Sequence, residues 1–225
     1  MLRRPSTRVP GEGGAARCIR SSSVTRVATA RPPRLATRAA CAIAVAAAVV
    51  VPSATATAGD RPRPGVPASY AIGDSVLIDV EGVLVHLVPK LRVDAVVSRQ
   101  FSDGLAIVQH LRATHRMTTR FVVFLGTNGT IVPSQFVQML HLLNICRRVV
   151  LVTLWVPTRP WMRADNTLIR TGPRRARNVV IADWTVLARA HPGWFYSDRV
   201  HLPIDGPGAT ALAHLIATKL SERAR

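Results

Sequence analysis

The sequence predicts an α/β fold, a three-layer α/β/α sandwich built on a central five-stranded parallel sheet. Three observations lead there. Between residues 69 and 182 five short apolar runs recur, rich in Val and Ile and without polar alternation, as strands buried on both faces are. Stretches of helical length separate them, and strand–helix repetition gives parallel pairing with helices on both faces. The chain then closes on an amphipathic segment whose Ala211, Leu212, Leu215, Ile216 and Leu220 share one helical face.

The strands are predicted at 69–73, 92–97, 120–125, 148–154 and 178–182. Helices are predicted at 76–89, 103–115, 133–145 and 163–175, with a last one over 208–223. Phe136, Met139, Leu140 and Leu143 form an apolar stripe at helical spacing, read as core packing. Cys146, the single cysteine after residue 58, ends this segment and is expected to be a buried thiol, with no disulfide possible in the folded part.

The segment before the repeats reads differently. Residues 1–38 hold nine arginines and one acid, Glu12, without apolar periodicity. An uncharged apolar run follows over 39–51, then Pro52 and small residues with an A-x-A pattern at Ala54–Ala56 and Ala56–Ala58. Basic, apolar and small in that order is the pattern of a secretory signal. A tilted membrane anchor is the alternative reading of 39–58, because the run is shorter than the ~20 residues of an ordinary span. The expected organisation is a basic region over 1–38, the signal or anchor over 39–58, a Pro-rich linker over 59–68 and one folded domain over 69–225. The protein is therefore expected to be exported, secreted or held at the outer face of the cytoplasmic membrane.

Charge narrows the partners. The chain carries a formal +18, and residues 59–225 alone have 21 basic against 11 acidic side chains. Only Lys90 and Lys219 are lysines, a bias that fits codon usage better than a chemical demand. The arginines are scattered, and no basic helix is interleaved with aromatics, so nucleic acid is not an expected partner. No Cys/His/Asp group has metal-ligand spacing, and no cofactor is implied.

Chemistry is concentrated where strands end. In parallel α/β sheets, function gathers beyond the carboxyl ends of the strands. Gly73-Asp74-Ser75 follows the first predicted strand, Ser98-Arg99-Gln100 the second and Gly126-Thr127-Asn128 the third. Asp198 and His201 come after the fifth, three residues apart. Ser75 alone reads equally as a helix N-cap. With an imidazole and a carboxylate nearby it reads as a nucleophile, because a serine hydroxyl needs a base within hydrogen-bond reach, and the base needs a group to orient it. Asp74 reads as a backbone-bonding residue. His86, His110, His115, His141, His191 and His214 read as surface or packing residues. Gly126–Gly129 lacks the Lys-Ser/Thr that a phosphate loop requires.

These segments also carry a resemblance. Gly73–Val76, Ser98–Gln100, Gly126–Gly129, Val156–Trp161, Ala182–Trp184 and His191–Leu202 resemble, in order, the blocks of the SGNH (GDSL-type) hydrolases. More narrowly, the chain looks like the extracellular SGNH domain of peptidoglycan O-acetyltransferases, over nearly all of residues 69–222. The resemblance implies a flavodoxin-like sheet, Ser75 as nucleophile, His201 as base and Asp198 as its orienting group. It implies an oxyanion hole from the Ser75 and Ser98 backbone and Asn128. Arg99, Trp161 and Trp194 are candidate substrate contacts; for Arg99 a role one layer behind the substrate and a surface salt bridge are also open, and for each tryptophan sugar stacking and plain packing are both open. The implied reaction is acyl transfer or ester hydrolysis through an acyl-enzyme on O-acetyl groups of cell-wall or extracellular glycans. The alternatives are a general small-ester or lipid esterase and a non-catalytic glycan-binding accessory domain. Full-length members carry a many-helix membrane domain, which this sequence lacks. The partners expected are thus an acyl-ester donor and a glycan or small-ester substrate, with a separate membrane protein as donor source or none at all. The Pro- and Gly-rich stretch 203–208 departs from the family pattern and bears on where the last helix starts.

Overall fold

The computed structural model describes residues 68–222. The readings of 1–38, 39–58 and nearly all of the linker lie outside them.

Five short strands form one parallel sheet: β1 (Ser69–Gly73), β2 (Leu91–Ala95), β3 (Arg120–Phe124), β4 (Arg148–Val152) and β5 (Val179–Ala182). Their order is β2-β1-β3-β4-β5. β1 and β4 are buried at every residue, whereas the edge strands β2 and β5 are only partly covered. The Val- and Ile-rich runs thus lie where both sheet faces are packed.

The connections explain the layers. α1 (Ser75–Leu87) carries the chain from β1 out to β2, and α2 (Phe101–Ala113) carries it back past β1 to β3. Parallel crossovers are right-handed, so this reversal of direction puts α1 and α2 on opposite faces. α3 (Pro133–Leu142), which runs on into a 3-10 turn at Leu143–Ile145, packs against α2, and the final helix α7 (Pro207–Ser221) packs against α1. The reversal also opens a crevice between the ends of β1 and β3, the position at which such sheets bind ligands.

Several expected boundaries move. The helix expected over 163–175 is two: α4 (Met162–Arg170) and α5 (Gly172–Arg175). Pro173 offers no N–H to continue the α4 ladder and begins a new turn instead. β2 stops at Ala95, and Val96 and Val97, expected inside the strand, are 51% and 66% exposed. A seven-residue helix, α6 (Trp184–Ala190), was not anticipated. The Met139 and Phe136 stripe is buried, as is Cys146, whose thiol burial pushes up to about 12. Among the described residues no helix is long and apolar enough to cross a membrane.

Candidate active site

The turn after β1 is set by sterics and hydrogen bonds. A Cβ on Gly73 would lie 2.5 Å from Leu77 Cβ, so only glycine lets α1 start this close to the strand. Asp74 is the N-cap of α1, and Ser75 is the first helical residue. Asp74 Oδ1 accepts from the Val76 N–H (3.2 Å), and Oδ2 accepts from the Thr127 N–H (3.2 Å) of the loop after β3. Burial pushes this carboxyl up to about 6 against the pull of those bonds.

Ser75 Oγ lies 2.9 Å from His201 Nε2. His201 Nδ1 lies 2.6 Å from Asp198 Oδ2. Asp198 Oδ1 accepts in addition from the Val200 (2.9 Å) and His201 (3.1 Å) N–H groups. Partial burial raises the Asp198 carboxyl, but the bonds from the His201 ring and the two amides outweigh it and hold the group below its ordinary value. Arg199 adopts φ +61° between the two residues, which turns the chain tightly enough for one carboxylate to reach both ring and backbone. The Leu202 N–H donates to Asp79 Oδ2 (3.0 Å) on α1, and Leu202 is fully buried. That anchor fixes the His201 loop to the helix that carries Ser75, and the motif itself gave no signal for it.

The loops after β2 and β3 complete the edge. Ser98 is held at φ +63°, the left-handed region that favours glycine. Asn128 Nδ2 donates to Arg99 O at 3.4 Å, and Gln100 Nε2 bonds the carbonyls of Ser98 (3.2 Å) and Asn128 (3.3 Å). Gly126 sits at φ +125°, where a Cβ would also meet Leu154 at 2.7 Å. The first N–H groups of a helix have no acceptor within it, so the Ser75 amide finds none inside α1, while Asn128 and Gln100 tie the loop after β3 to the loop after β2.

For Arg99 the structure favours the ion pair over the substrate contact. As a substrate contact it would face the crevice, yet its side chain is 8% exposed and occupied. Nη1 donates to Gly73 O (3.1 Å) and to Asp94 O, and Nη2 to Asp94 Oδ1 (2.6 Å). Asp94 Oδ2 in turn accepts from Tyr70 Oη at 2.6 Å. The guanidinium ties β2 to the residue just before the nucleophile turn. Trp194 is also occupied, stacked between His191 (3.9 Å) and Trp184 (6.1 Å). Trp161 donates its ring N–H to Gly126 O (3.0 Å), with Arg159 over its face at 5.6 Å, and so borders the Asn128 loop. Two apolar pairs escaped the sequence reading: Val96 and Val97 beside Ser98, and Tyr196 and Ile204 on the His201 loop, all exposed. Val96 and Val97 read as buried strand, and no periodicity marks the other two.

This fold and edge define the class: an SGNH-type hydrolase fold with a serine, histidine and aspartate aligned by hydrogen bonds. The comparisons agree on the fold. The C-terminal catalytic domain of Streptococcus pneumoniae peptidoglycan O-acetyltransferase A, solved with a methylsulfonyl adduct, superposes with TM-score 0.55 at 20% identity, over 69% of this chain and 93% of that one. A catalytic mutant of the acetylxylan esterase Axe2 of Geobacillus stearothermophilus superposes at 0.53 and 14% identity, over 73% and 100%. In sequence the chain is 31% identical to the O-acetyltransferase OatA of Staphylococcus aureus over 154 residues, 68% of this chain and 25% of the relative. It is 30% identical to the peptidoglycan O-acetyltransferase OatA of Listeria monocytogenes over 148 residues, 66% and 23%. No family model matches. The chain has the SGNH-hydrolase fold and is a homologue of peptidoglycan O-acetyltransferases, spanning about a quarter of the length of the curated relatives it matches.

Proposed function

We propose that this protein is a serine-dependent O-acetyl esterase or acetyltransferase that works through an acyl-enzyme on an extracellular glycan. The observation that carries the reading is the unbroken Ser75–His201–Asp198 hydrogen-bonded line at the crevice. Ser75 Oγ attacks the ester carbonyl while His201 Nε2 takes its proton. The oxyanion that forms is met by the Ser75 and Ser98 amides and Asn128. Collapse breaks the ester C–O bond, and His201 returns the proton to the leaving alcohol. Water or a glycan hydroxyl then attacks the acetyl-serine by the same steps in reverse. Asp198 stays ionised throughout and stabilises the imidazolium. The apolar run at 39–51 and the small residues after it support action outside the cytoplasmic membrane, with a membrane protein as donor source when the reaction is transfer.

Hydrolysis has an observation of its own. His201 and Asp198 are 37% and 47% exposed, so water reaches the base freely, whereas transfer needs an acceptor that excludes it. The test is purified chain with an activated acetyl ester, with and without a chitin-type oligosaccharide, beside Ser75→Ala. Acetylated oligosaccharide that needs Ser75 identifies a transferase; acetate alone identifies an esterase. Turnover equal to that of Ser75→Ala would refute the catalytic reading and favour the accessory glycan-binding alternative.

A further inference from the structure

A second concavity lies on the same sheet edge as Ser75. It is a cleft of about 490 Å³ between α4 and α6, lined by Arg163, Asn166, Thr167, Arg170, Thr185 and Arg189 among others, with the Asp183 carboxylate against Arg170 as its neighbouring acid. Its floor is fixed. Asn166 bridges the Leu154 backbone, accepting from N–H at 2.7 Å and donating to O at 2.9 Å, and donates to Thr185 Oγ1 at 3.2 Å. Leu154 and Thr185 follow β4 and β5, so the cleft opens beyond the carboxyl ends of those strands.

Its chemistry is that of a carboxylate receptor. Arg163 and Arg170 are two helical turns apart on α4, about 10 Å along the axis, and Arg189 faces them from α6. All three are exposed. Arg170 shows what the wall holds: its Nε and Nη2 grip Asp183 Oδ2 and Oδ1 at 3.1 and 2.8 Å, a two-point carboxylate pair. Arg163 and Arg189 form no ion pair among the described residues. A planar guanidinium with free donors suits a second carboxylate in the same geometry.

Trp161, bonded to the Gly126 carbonyl beside Asn128, immediately precedes Met162, the first residue of the cleft wall. β1 and β5 are three strand spacings apart in the sheet order, about 14 Å. Ser75 follows β1 and Thr185 follows β5, so about that distance separates the two strand ends at which the site and the cleft wall start.

We propose that this cleft binds a carboxylate-bearing glycan strand, holding the polymer whose ester is handled at Ser75. The identity of that polymer as substrate rests on the acyl-transfer reading; the binding itself does not. The scattered positive charge elsewhere attracts any polyanion weakly and loses it to salt. The cleft adds fixed donors at a defined spacing.

The test uses the full chain and three probes: an oligogalacturonate, its carboxyl-reduced neutral counterpart, and single-stranded DNA of equal charge. Arg163→Gln with Arg189→Gln should weaken oligogalacturonate binding by ~10-fold or more at physiological salt. The neutral oligomer should bind poorly, DNA binding should fall much less, and Ser75-dependent turnover of a small activated acetyl ester should stay within ~2-fold, since neither arginine touches the triad. Unchanged oligogalacturonate affinity in the double variant would overturn the proposal. So would equal losses for DNA, which would reduce the cleft to undifferentiated cation exchange. A chain that binds oligogalacturonate through these arginines but shows no Ser75-dependent turnover would refute the catalytic reading while upholding the cleft.

Discussion

Ser75 and His201 meet at 2.9 Å, yet the segments that bring them there are held in opposite ways. The Ser75 side is buried and cross-tied: Asp74 binds Thr127, Arg99 binds Gly73 and Asp94, and Asp94 binds Tyr70. The His201 side is an exposed loop, bonded chiefly to itself through Asp198 and pinned at Leu202 by Asp79. The nucleophile is thus positioned by the fold, whereas the base is positioned by a local turn. Changes on the loop should damage chemistry alone, and changes under the nucleophile should damage chemistry and stability together.

The largest expected effect falls on the hydrogen-bonded line. Ser75→Ala or His201→Ala should lower kcat/KM by on the order of 10⁴-fold or more, and the two together little further, because residues that act as a unit are not additive. His201→Ala should leave the unfolding midpoint nearly unchanged; a large fall would show that the loop carries more of the fold than its exposure implies. Asn128→Ala should lower kcat by about 10²–10³-fold with KM little affected, the mark of a donor used in the transition state. Equal kcat in that variant would remove Asn128 from the oxyanion hole.

Arg99 sharpens the contrast. Arg99→Ala leaves the Asp94 carboxylate with Tyr70 alone and the Gly73 carbonyl without its guanidinium partner, and should cost about 1–3 kcal/mol in denaturant unfolding, with a fall in kcat as the Gly73 turn loosens. Arg99→Lys should recover only part of both, because a point charge cannot span Gly73 O and Asp94 as the fork does. Normal stability with lost activity would return Arg99 to the role of substrate contact.

What could be read beforehand follows the same division. The buried strands were legible because continuous Val and Ile runs have one physical meaning in an α/β chain, and the sheet has the expected five parallel strands. That Ser75, Asp198 and His201 come together was legible because each lies in a short local motif, and their hydrogen bonds join them in one line. For Arg99 an ion pair was among the open readings but its partner was not legible, since the pairing with Asp94 depends on how β2 leaves the sheet edge beside β1. Val96 and Val97 were misassigned because an apolar run does not show where the ladder stops. α6 went unseen because seven residues are too few for a helical period. Trp194 could be either a sugar platform or packing, and its stacking on His191 and Trp184 was not legible because neither has a fixed spacing to a motif.

The smallest predicted effect tests the buried side by pH. Asp74 is raised to about 6 by burial, despite the Thr127 and Val76 bonds that pull it down, against ~3.9 in an unfolded chain. The folded state therefore binds this proton more tightly than the unfolded one. The stability it contributes is present in full below pH ~4 and is lost as pH rises through about 6, a change of about 2–3 kcal/mol. Asp165, raised to about 6 by burial although it accepts from the Ile131 N–H, acts in the same direction. Denaturant unfolding should show stability falling between pH 4 and pH 6.5, and Asp74→Asn should flatten that slope without abolishing it. Asp198 is held low instead, so its contribution is lost only as pH falls below the ordinary carboxylate range, and Asp198→Asn should leave the slope between pH 4 and 6.5 intact. If Asp198→Asn flattened it and Asp74→Asn did not, the exposed loop rather than the buried turn would be the pH-sensitive half of the site.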